Sequence, residues 1–303
     1  MGLKDRTPPS VEEYAGYRER FSNWRRWGDE DELGTLNHIT ADVRLAAAAL
    51  VREGRTVSCA NPIATTPGPR NPNPAQHFMR VTPAASMDYI GVSYHGYVNT
   101  HIDALCHIFG AEGELYNGRP ASDVTTQGAL SCSVDHWREG IVTRGVLYDI
   151  PRLRGMPHVT LDAPVHGWDL EDAAAAQGVE PRPGDAVLVR SGAEAWFASH
   201  PVVPTPAEPT PGVHASALEF LHEYSASLLG WDLMEASGQP YDARLPVHMT
   251  AIPYMGMPLL DNGNFERLAE VCAELGRWEF QFVIAPLVVV GGTGSPVNPI
   301  AVF

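Results

Sequence analysis

The sequence predicts a single α/β domain. Strand-like runs alternate with helical patterns along most of its 303 residues, which is the arrangement of an α/β protein. Hydrophobic residues make up 44% of the chain and charged residues 19%, so the chain can bury a substantial core. We find no internal repeat and no long linker. Because no βαβ repeat and no glycine-rich phosphate loop recurs, neither a Rossmann domain nor a TIM barrel is favoured.

The beginning of the chain is predicted to be helical. A helical pattern runs from Ser10 to about Trp27, and an alanine-rich helix begins at Ala41 and is closed by Gly54. We therefore predict one domain over residues 1–303, with an N-terminal helical extension over about residues 1–55.

Strands and helices then follow in turn. "TVSCANPI" is strand-like, and Thr65–Ala75 is so rich in Pro, Gly and Asn that we predict a loop there, as an arm or lid. Further strand-like runs are "MDYIGVSYHGYVNTHID", "GVLYDI", "DAVLVRSG", "ASLLGWD" and "FQFVIAPLVVV". The helical patterns are "DLEDAAAAQG", "AEAWFASH", "HASALEFLHEYS" and "FERLAEVCAELG". The proline-rich segment His200–His214 is predicted to be an ordered surface excursion, with a domain boundary there as the alternative.

Composition and charge narrow the function class. Lys and Arg total 21 and Asp and Glu total 36, giving a formal net charge of −15, and no basic block could line a nucleic-acid groove. We therefore expect no nucleic-acid partner. The four cysteines lack CxxC spacing, which favours reduced thiols and a cytoplasmic location. Without a signal peptide or about 18 consecutive apolar residues, we expect no export and no membrane span.

The stretch "VSYHGYVNTHIDALCHIFG", residues 92–110, concentrates His95, His101, Asp103 and His107. If the chain is extended here, alternate side chains share a face, so His101 and Asp103 lie about 7 Å apart and one metal ion can reach both. His95 lies roughly 20 Å from His101 on a straight strand, so it joins them only if the chain bends at Gly96.

The residue types in this stretch suit metal chemistry. Histidine and aspartate together suit Zn²⁺ or Mn²⁺, and the lack of cysteine ligands favours a catalytic site that holds water over a closed structural site. His107, four residues beyond Asp103, is a candidate general acid or base. The alternative is that these histidines are hydrogen-bonded structural residues. Cys106 is interpreted as buried packing.

Within this stretch, "YVNTHIDALCH" from Tyr97 to His107 resembles the motif H-x-G-T-H-x-D-x-P-x-H of a family of bacterial kynurenine formamidases, isatin hydrolases and cyclases. The chain is most similar to the long-form members. The similarity extends to "RWGDEDELGTLNHIT", "YNGRP", "GVLYDI", "PGDAVLVRSG", "LPVH" and "APLVVVGGTGSPVNPIAVF". It covers most of the chain.

The resemblance implies a swivelling β/β/α cyclase-like fold, with a β-barrel-like core surrounded by helices, assembled as a homodimer or homotetramer. It implies metal-dependent hydrolysis of an amide, lactam or lactone bond in a small aromatic or cyclic substrate, with Mn or Zn as the cofactor. By matching positions, His101 and Asp103 are metal ligands and His107 transfers protons. His248 and Asp261 match the later pair, which serves a second metal or the catalysis.

The chain departs from the motif where the first histidine falls on Tyr97. His95 could replace this ligand if the chain bends, Tyr97 could ligate weakly or donate a hydrogen bond to a substrate oxygen, or the metal could be lost. A phenol with a pKa near 10 is a poor anionic ligand at neutral pH unless a metal lowers that pKa. The motif's glycine is Asn99, its proline is Leu105 and its later glutamate is Asp261.

Three functions follow from these residues. The first is the metal-dependent hydrolase. The second is a metal-independent natural-product cyclase, dehydratase or isomerase, in which His101, His107 and Tyr97 act as acid-base groups. The third is a non-catalytic binding protein on the same scaffold.

Four residues outside the motif complete the set of candidates. Asp232, which ends "LLGWD", is either a site residue or a cap. Phe78 and Met79 are candidates to reach the site of the same or a neighbouring subunit. Asn298 stands where family members often carry arginine, which we expect to alter substrate or subunit contacts.

Overall fold

The computed structural model describes residues 3–200, 209–241 and 243–303. Within these residues, a nine-stranded mixed sheet curls into a half-barrel that helices surround. This architecture confirms the predicted α/β, barrel-like fold class.

The helices and strands account for most of the ordered backbone. The helices are α1 (Val11–Arg20), α2 (Ala41–Ala48), α3 (Ile150–Arg154), α4 (Gly167–Gln177), α5 (Ala193–Ser199), α6 (Ala217–Glu223), α7 (His248–Thr250) and α8 (Glu266–Leu275). The strands are β1 (Thr56–Ser58), β2 (Gln76–Val81), β3 (Ser86–Gly91), β4 (His101–Asp103), β5 (Val124–Thr125), β6 (Gly128–Ala129), β7 (Ile141–Asp149), β8 (Ala186–Arg190), β9 (Leu228–Trp231), β10 (Leu259–Asp261), β11 (Glu279–Ile284), β12 (Gly294–Pro296) and β13 (Ile300–Val302). A π-helical turn, Ala251–Met255, follows α7.

The large sheet has the order β1-β13-β11-β7-β8-β9-β10-β4-β12. Strands β7, β8, β9 and β10 run parallel, and β4 lies antiparallel to both β10 and β12. Because β4 is paired on both sides, the positions of its three residues are fixed in register. Strands β2 and β3 form a separate hairpin, as do β5 and β6.

The two faces of the sheet bury two hydrophobic clusters. On β8, Val187 and Val189 belong to one cluster, whereas Ala186 and Leu188 belong to the other. This alternation is expected for a strand that is buried on both faces. The sheet therefore forms the centre of the molecule.

The N-terminal helix α1 packs against the body of the protein. It begins with a capping box in which Ser10 and Glu13 satisfy each other's backbone N–H groups. On its buried face, the Tyr17 hydroxyl donates to Glu219 Oε1 at 2.5 Å and the Tyr14 hydroxyl donates to the Pro246 carbonyl at 2.9 Å. The second of these bonds connects α1 to the segment that leads into α7.

Both N-terminal helices are shorter than predicted, because the residues that follow them bond elsewhere. After α1, the Asn23 N–H donates to the Tyr254 carbonyl at 3.0 Å. After α2, the N–H groups of Glu53 and Arg55 donate to the Phe303 carbonyl. These tertiary hydrogen bonds take the place of the last helical turns.

Two predicted strands were wrong in extent. The long run "MDYIGVSYHGYVNTHID" is divided between β3 and β4, with an irregular bend between them. The last run ends at Ile284, because Pro286 has no N–H to donate to a ladder, and residues 287–290 are exposed. Strand β2, at "QHFMRV", was not predicted because every residue in it is exposed and no buried face shows in its pattern.

Part of the proline-rich segment His200–His214 falls on residues 201–208, which lie outside the described residues. Its end is integrated into the body, since Val213 bridges to both Val165 and Glu235. Across the described ranges, no helix is long and apolar enough to cross a membrane.

Candidate metal centre

The candidate site begins on β4, where His101 and Asp103 point to one face of the sheet and Ile102 is buried on the other. In the antiparallel register, Asp261 at the end of β10 lies opposite His101. His101 Nε2 is 3.4 Å from Asp103 Oδ1 and 3.9 Å from Asp261 Oδ2. The sheet therefore brings together three residues that lie far apart in sequence.

His95 reaches the same point because the chain bends before β4. Its Nδ1 lies 3.0 Å from Asp103 Oδ1, although the ring is not oriented for an N–H···O hydrogen bond. Gly96 has a φ of 151°, a backbone conformation that side-chain-bearing residues rarely adopt. His95 Nε2 lies 3.1 Å from Thr293 Oγ1, which helps to fix the ring.

Asp103 is the central residue of the site. It is completely buried, and neither of its carboxylate oxygens has a hydrogen-bond partner among the described residues. Burial opposes its ionisation, but the surrounding imidazoles of His95, His107, His101 and His248 hold its pKa well below the usual range. An ionised, buried carboxylate without hydrogen bonds has the environment that a bound cation would complete.

His248 enters the site from α7 and is held by Glu235. Glu235 Oε1 lies 2.5 Å from His248 Nδ1, and Oε2 accepts the backbone N–H of His248 at 3.2 Å. The other ring nitrogen, Nε2, is 3.3 Å from Asp261 Oδ2 and 3.6 Å from Asp103 Oδ2. Burial disfavours the charged ring, yet the carboxylates of Glu235 and Asp261 raise the pKa of His248 well above its ordinary value.

Glu235 was missed by the sequence analysis. It stands in "LMEASG", where no motif or spacing distinguishes it from other acidic residues. Trp231 was also not assigned a role. Its indole Nε1 donates to Asp261 Oδ1 at 2.6 Å, so β9 positions the carboxylate of Asp261 from beneath.

His107 lies at the more accessible side of the site. Its ring stacks on that of His95 with a centroid distance of 3.7 Å and an interplanar angle of 2°. Its Nε2 is 3.9 Å from Asp103 Oδ2, and about a quarter of its side chain is exposed. Burial lowers the pKa of His107 to about 4, so the ring is neutral at pH 7 and can accept a proton.

Three other candidates lie outside this cluster. The Tyr97 side chain is 41% exposed, and its carbonyl accepts from Arg70 at 2.7 Å. Cys106 is buried, and burial raises the pKa of its thiol to about 12. Asp232 accepts the backbone N–H groups of Ser191, Gly192, Ala193 and Leu233, which is a capping role at the start of α5.

Phe78 and Met79 lie on the exposed hairpin of β2 and β3, and Asn298 accepts from Ser58 at 2.5 Å.

Two overlapping groups of side chains have the geometry to hold an ion. The first is His95, His101 and Asp103, and the second is Asp103, His248 and Asp261. Within each group, one ligand atom from every residue lies within 4.8 Å of the others. His95, and not Tyr97, completes the first group. Imidazole and carboxylate donors suit Zn²⁺ or Mn²⁺.

Comparison with known proteins places this site in a family. The protein-family model named Cyclase, described as "Putative cyclase", matches residues 38–236, which is more than half of the chain. The chain belongs to the cyclase family. A crystal structure described as a novel cyclase has 30% sequence identity and a TM-score of 0.84, and the match covers 94% of this chain and 99% of that one.

More distant cyclase-family folds are found among enzymes with described activities. Isatin hydrolase A from Labrenzia aggregata, bound to benzyl benzoate, has 19% identity and a TM-score of 0.59, with coverage of 86% of this chain and 98% of that one. A predicted metal-dependent hydrolase from Bacillus stearothermophilus has 14% identity and a TM-score of 0.50, with coverage of 82% and 97%. These two matches show a shared fold. No curated protein matches the chain significantly.

Proposed function

We propose that this cyclase-family chain is a metal-dependent hydrolase that opens or cleaves an amide, lactam or lactone bond of a small cyclic or aromatic substrate. The observation that carries the proposal is the completely buried Asp103, whose two carboxylate oxygens lack hydrogen bonds while imidazoles approach from several sides. Isolated buried carboxylates are costly, and such an arrangement is stable when a cation completes it.

His95, His101 and Asp103 would hold the ion, with Asp261 and His248 beside them as ligands for a second ion or as groups that orient water. A divalent ion supplies Lewis acidity, which polarises a carbonyl group and makes water a stronger nucleophile. We propose Mn or Zn, because both accept imidazole and carboxylate ligands.

His107 is the proton-transfer residue in this proposal. Its ring is neutral at pH 7 and partly exposed, so it can take a proton from water and deliver it to the leaving nitrogen or oxygen. Stacking on His95 holds the ring in place. His248 is held by Glu235, which leaves its Nε2 directed at Asp103 and Asp261.

The experiment measures metal content and hydrolysis together. Protein purified without chelators is analysed for Mn and Zn, and then assayed with isatin-type lactams, N-formyl anilines and aromatic lactones. We expect about one or two ions per chain and activity that is lost in chelator and restored by metal. Asp103→Asn is expected to lose both metal and activity.

The matched control is Glu219→Gln, which alters a buried carboxylate that bonds to Tyr17 and not to the site. Glu219→Gln is expected to keep its metal. Wild-type protein that binds no divalent metal after dialysis against Mn²⁺ or Zn²⁺ would overturn the proposal. A metal-free chain that converts a substrate through His107 would instead favour the metal-independent cyclase, dehydratase or isomerase.

We further propose that the chain assembles with a second copy through the β2–β3 hairpin. Phe78 and Tyr89 stack on one face of this hairpin, and Met79 and Ile90 lie on the other. Six large apolar side chains of the hairpin are 43% to 75% exposed: Phe78, Met79, Val81, Met87, Tyr89 and Ile90. A two-stranded hairpin with both faces in water is marginal by itself, so a partner that covers both faces would stabilise it.

The same chain carries a second exposed apolar surface, the 287–290 strip (Leu287, Val288, Val289 and Val290). At roughly 100 Å² for each of these ten side chains, the two surfaces offer on the order of 1,000 Å² per chain, against about 800 Å² per partner in a standard interface. A twofold arrangement in which each hairpin covers the partner's strip uses both surfaces.

Sedimentation of the wild-type chain at 10 µM protein, as about the concentration of a stable dimer test, is expected to give a dimer or tetramer. Phe78→Glu with Met79→Glu, which places a charge on each face of the hairpin, is expected to give a monomer. Leu45→Glu, at an exposed leucine on α2, is the control and is expected to keep the assembly. A monomeric wild-type chain would refute the interface.

A further inference from the structure

The segment between β3 and β4 determines where His95 lies. Residues 94–100 contain no helix or strand, and they bend at Gly96 with a φ of 151°. This bend brings His95 within 3.0 Å of Asp103 Oδ1, although six residues separate His95 from His101. Irregular backbone needs hydrogen-bond partners to keep one shape.

Those partners come from Asn262, the residue directly after Asp261 on the opposite strand. Its side-chain amide donates to the Gly96 carbonyl at 2.7 Å and to the Asn99 carbonyl at 3.1 Å. Its own carbonyl accepts from Thr100 Oγ1 at 2.6 Å. Asn262 therefore bonds to both ends of the bend.

The backbone of Asn262 is itself in a special conformation. Its φ is 52°, in the left-handed region that asparagine tolerates better than most residues. The residue is also buried. A buried residue in this conformation directs its side chain away from the face that Asp261 occupies and towards the bend.

The Asn99 carbonyl connects this arrangement to His101. It accepts from His101 Nδ1 at 2.8 Å as well as from Asn262. Because a carbonyl oxygen only accepts, the proton of a neutral His101 ring must lie on Nδ1. The lone pair is then on Nε2, which faces Asp103 and Asp261.

We infer that Asn262 is a positioning residue that fixes both the His95 bend and the Nδ1–H tautomer of His101 by donating to the Gly96 and Asn99 carbonyls. The inference rests on the proposed metal site, for which it explains how a ligand two residues from the motif position is held in place. Asn262 acts through His95 and His101 and does not itself contact the ion.

The test uses Asn262→Asp, which keeps the size of the side chain and its tolerance of the left-handed region but places a carboxylate oxygen against two carbonyl oxygens. Asn264→Asp is the matched control, since Asn264 lies on the same loop and donates to Asn61 Oδ1 at 3.1 Å. Mn²⁺ affinity is measured by titration, and the histidine ring nitrogens are observed by ¹⁵N NMR in metal-free protein.

We expect Asn262→Asp to weaken Mn²⁺ binding by about 10- to 100-fold, as for other groups that orient metal ligands, and Asn264→Asp to bind as the wild type does. In metal-free wild type, His101 is expected to carry its proton on Nδ1, and in Asn262→Asp to show both tautomers. Wild-type affinity and an unchanged His101 spectrum in Asn262→Asp would overturn the inference.

A second variant removes dependence on one substitution. Asn262→Gly adopts the same φ without strain and lacks both donors, so it decides the question if Asn262→Asp does not fold. A wild-type chain without metal affinity would refute the proposed function, whereas the ring spectra of the metal-free chain would still test the role of Asn262.

Discussion

Glu235 and His248 form the closest contact between charged groups in the site, with Oε1 2.5 Å from Nδ1. The two residues approach from different segments, because Glu235 lies just after β9 and His248 begins α7. A carboxylate behind a histidine fixes the orientation of the ring and strengthens its free nitrogen as a donor to metal. Glu235 is therefore as important to the site as the residues that line it.

Glu235→Gln should weaken metal binding without unfolding the protein. The amide loses the charge that stabilises the His248 ring, so we expect metal affinity to fall by about 10- to 100-fold. Isothermal titration with Zn²⁺ or Mn²⁺ measures the change, and Glu219→Gln is the control at another buried carboxylate. Equal affinities for wild type and Glu235→Gln would contradict this role.

Trp231 should report metal binding through its fluorescence. Its indole bonds to Asp261 at 2.6 Å and its ring centroid lies 5.4 Å from that of His248, so Co²⁺ in the site would quench its emission. We expect Trp231→Phe to lose most of the Co²⁺-dependent quenching. Trp278→Phe, which changes a tryptophan in the other hydrophobic cluster, should keep it. Similar quenching in all three proteins would place the ion elsewhere.

His214 should make the protein less stable in acid. It is buried, and burial together with neighbouring His166 lowers its pKa to about 3. Below pH 6.5 the unfolded chain takes up a proton that the folded chain does not, so stability is lost as the pH falls from 6.5 towards 3.

His214→Asn keeps an acceptor for the Ser216 N–H and removes this titration. We expect the wild type to lose roughly 2 kcal/mol more than the variant between pH 7 and pH 4.5, as measured by urea unfolding at both pH values. Parallel losses in the two proteins would assign the acid sensitivity to other groups.

Gly34 should be far less tolerant of substitution than Gly54, although both have positive φ angles of 56° and 64°. A Cβ at Gly34 would lie 1.9 Å from the Gly256 carbonyl oxygen, whereas one at Gly54 would meet nothing within 4 Å. We expect Gly54→Ala to cost roughly 1 kcal/mol and Gly34→Ala at least about 2 kcal/mol more. Thermal unfolding of the two variants gives the comparison, and equal costs would contradict it.

Local pattern was enough to find the centre of the site but not its surroundings. The spacing of His101 and Asp103 predicts a shared face, because side chains on a strand alternate. The position of His95 depends on hydrogen bonds from Asn262, which lies more than 160 residues away in sequence. Glu235 approaches His248 only in the folded chain, so no short motif could indicate it.

The fold was predicted to a similar depth. Buried strands such as β7 and β8 stand out as apolar runs, and their order with the helices predicts the α/β class. Strand β2 has no buried face and so gives no periodic signal. The helix ends at Arg20 and Ala48 are set by bonds to distant carbonyls, which sequence pattern does not contain.

The position of β4 in the sheet has a consequence for how the chain can be divided. The family match spans residues 38–236, which includes His95, His101, Asp103 and Glu235. Both neighbours of β4, β10 and β12, lie beyond residue 236, as does α7. A fragment limited to the matched residues would leave β4 without paired strands and would lack His248 and Asp261. Expression, domain swapping or fusion experiments must therefore carry the chain through its final strand to preserve a binding site whose recognisable signature ends long before it.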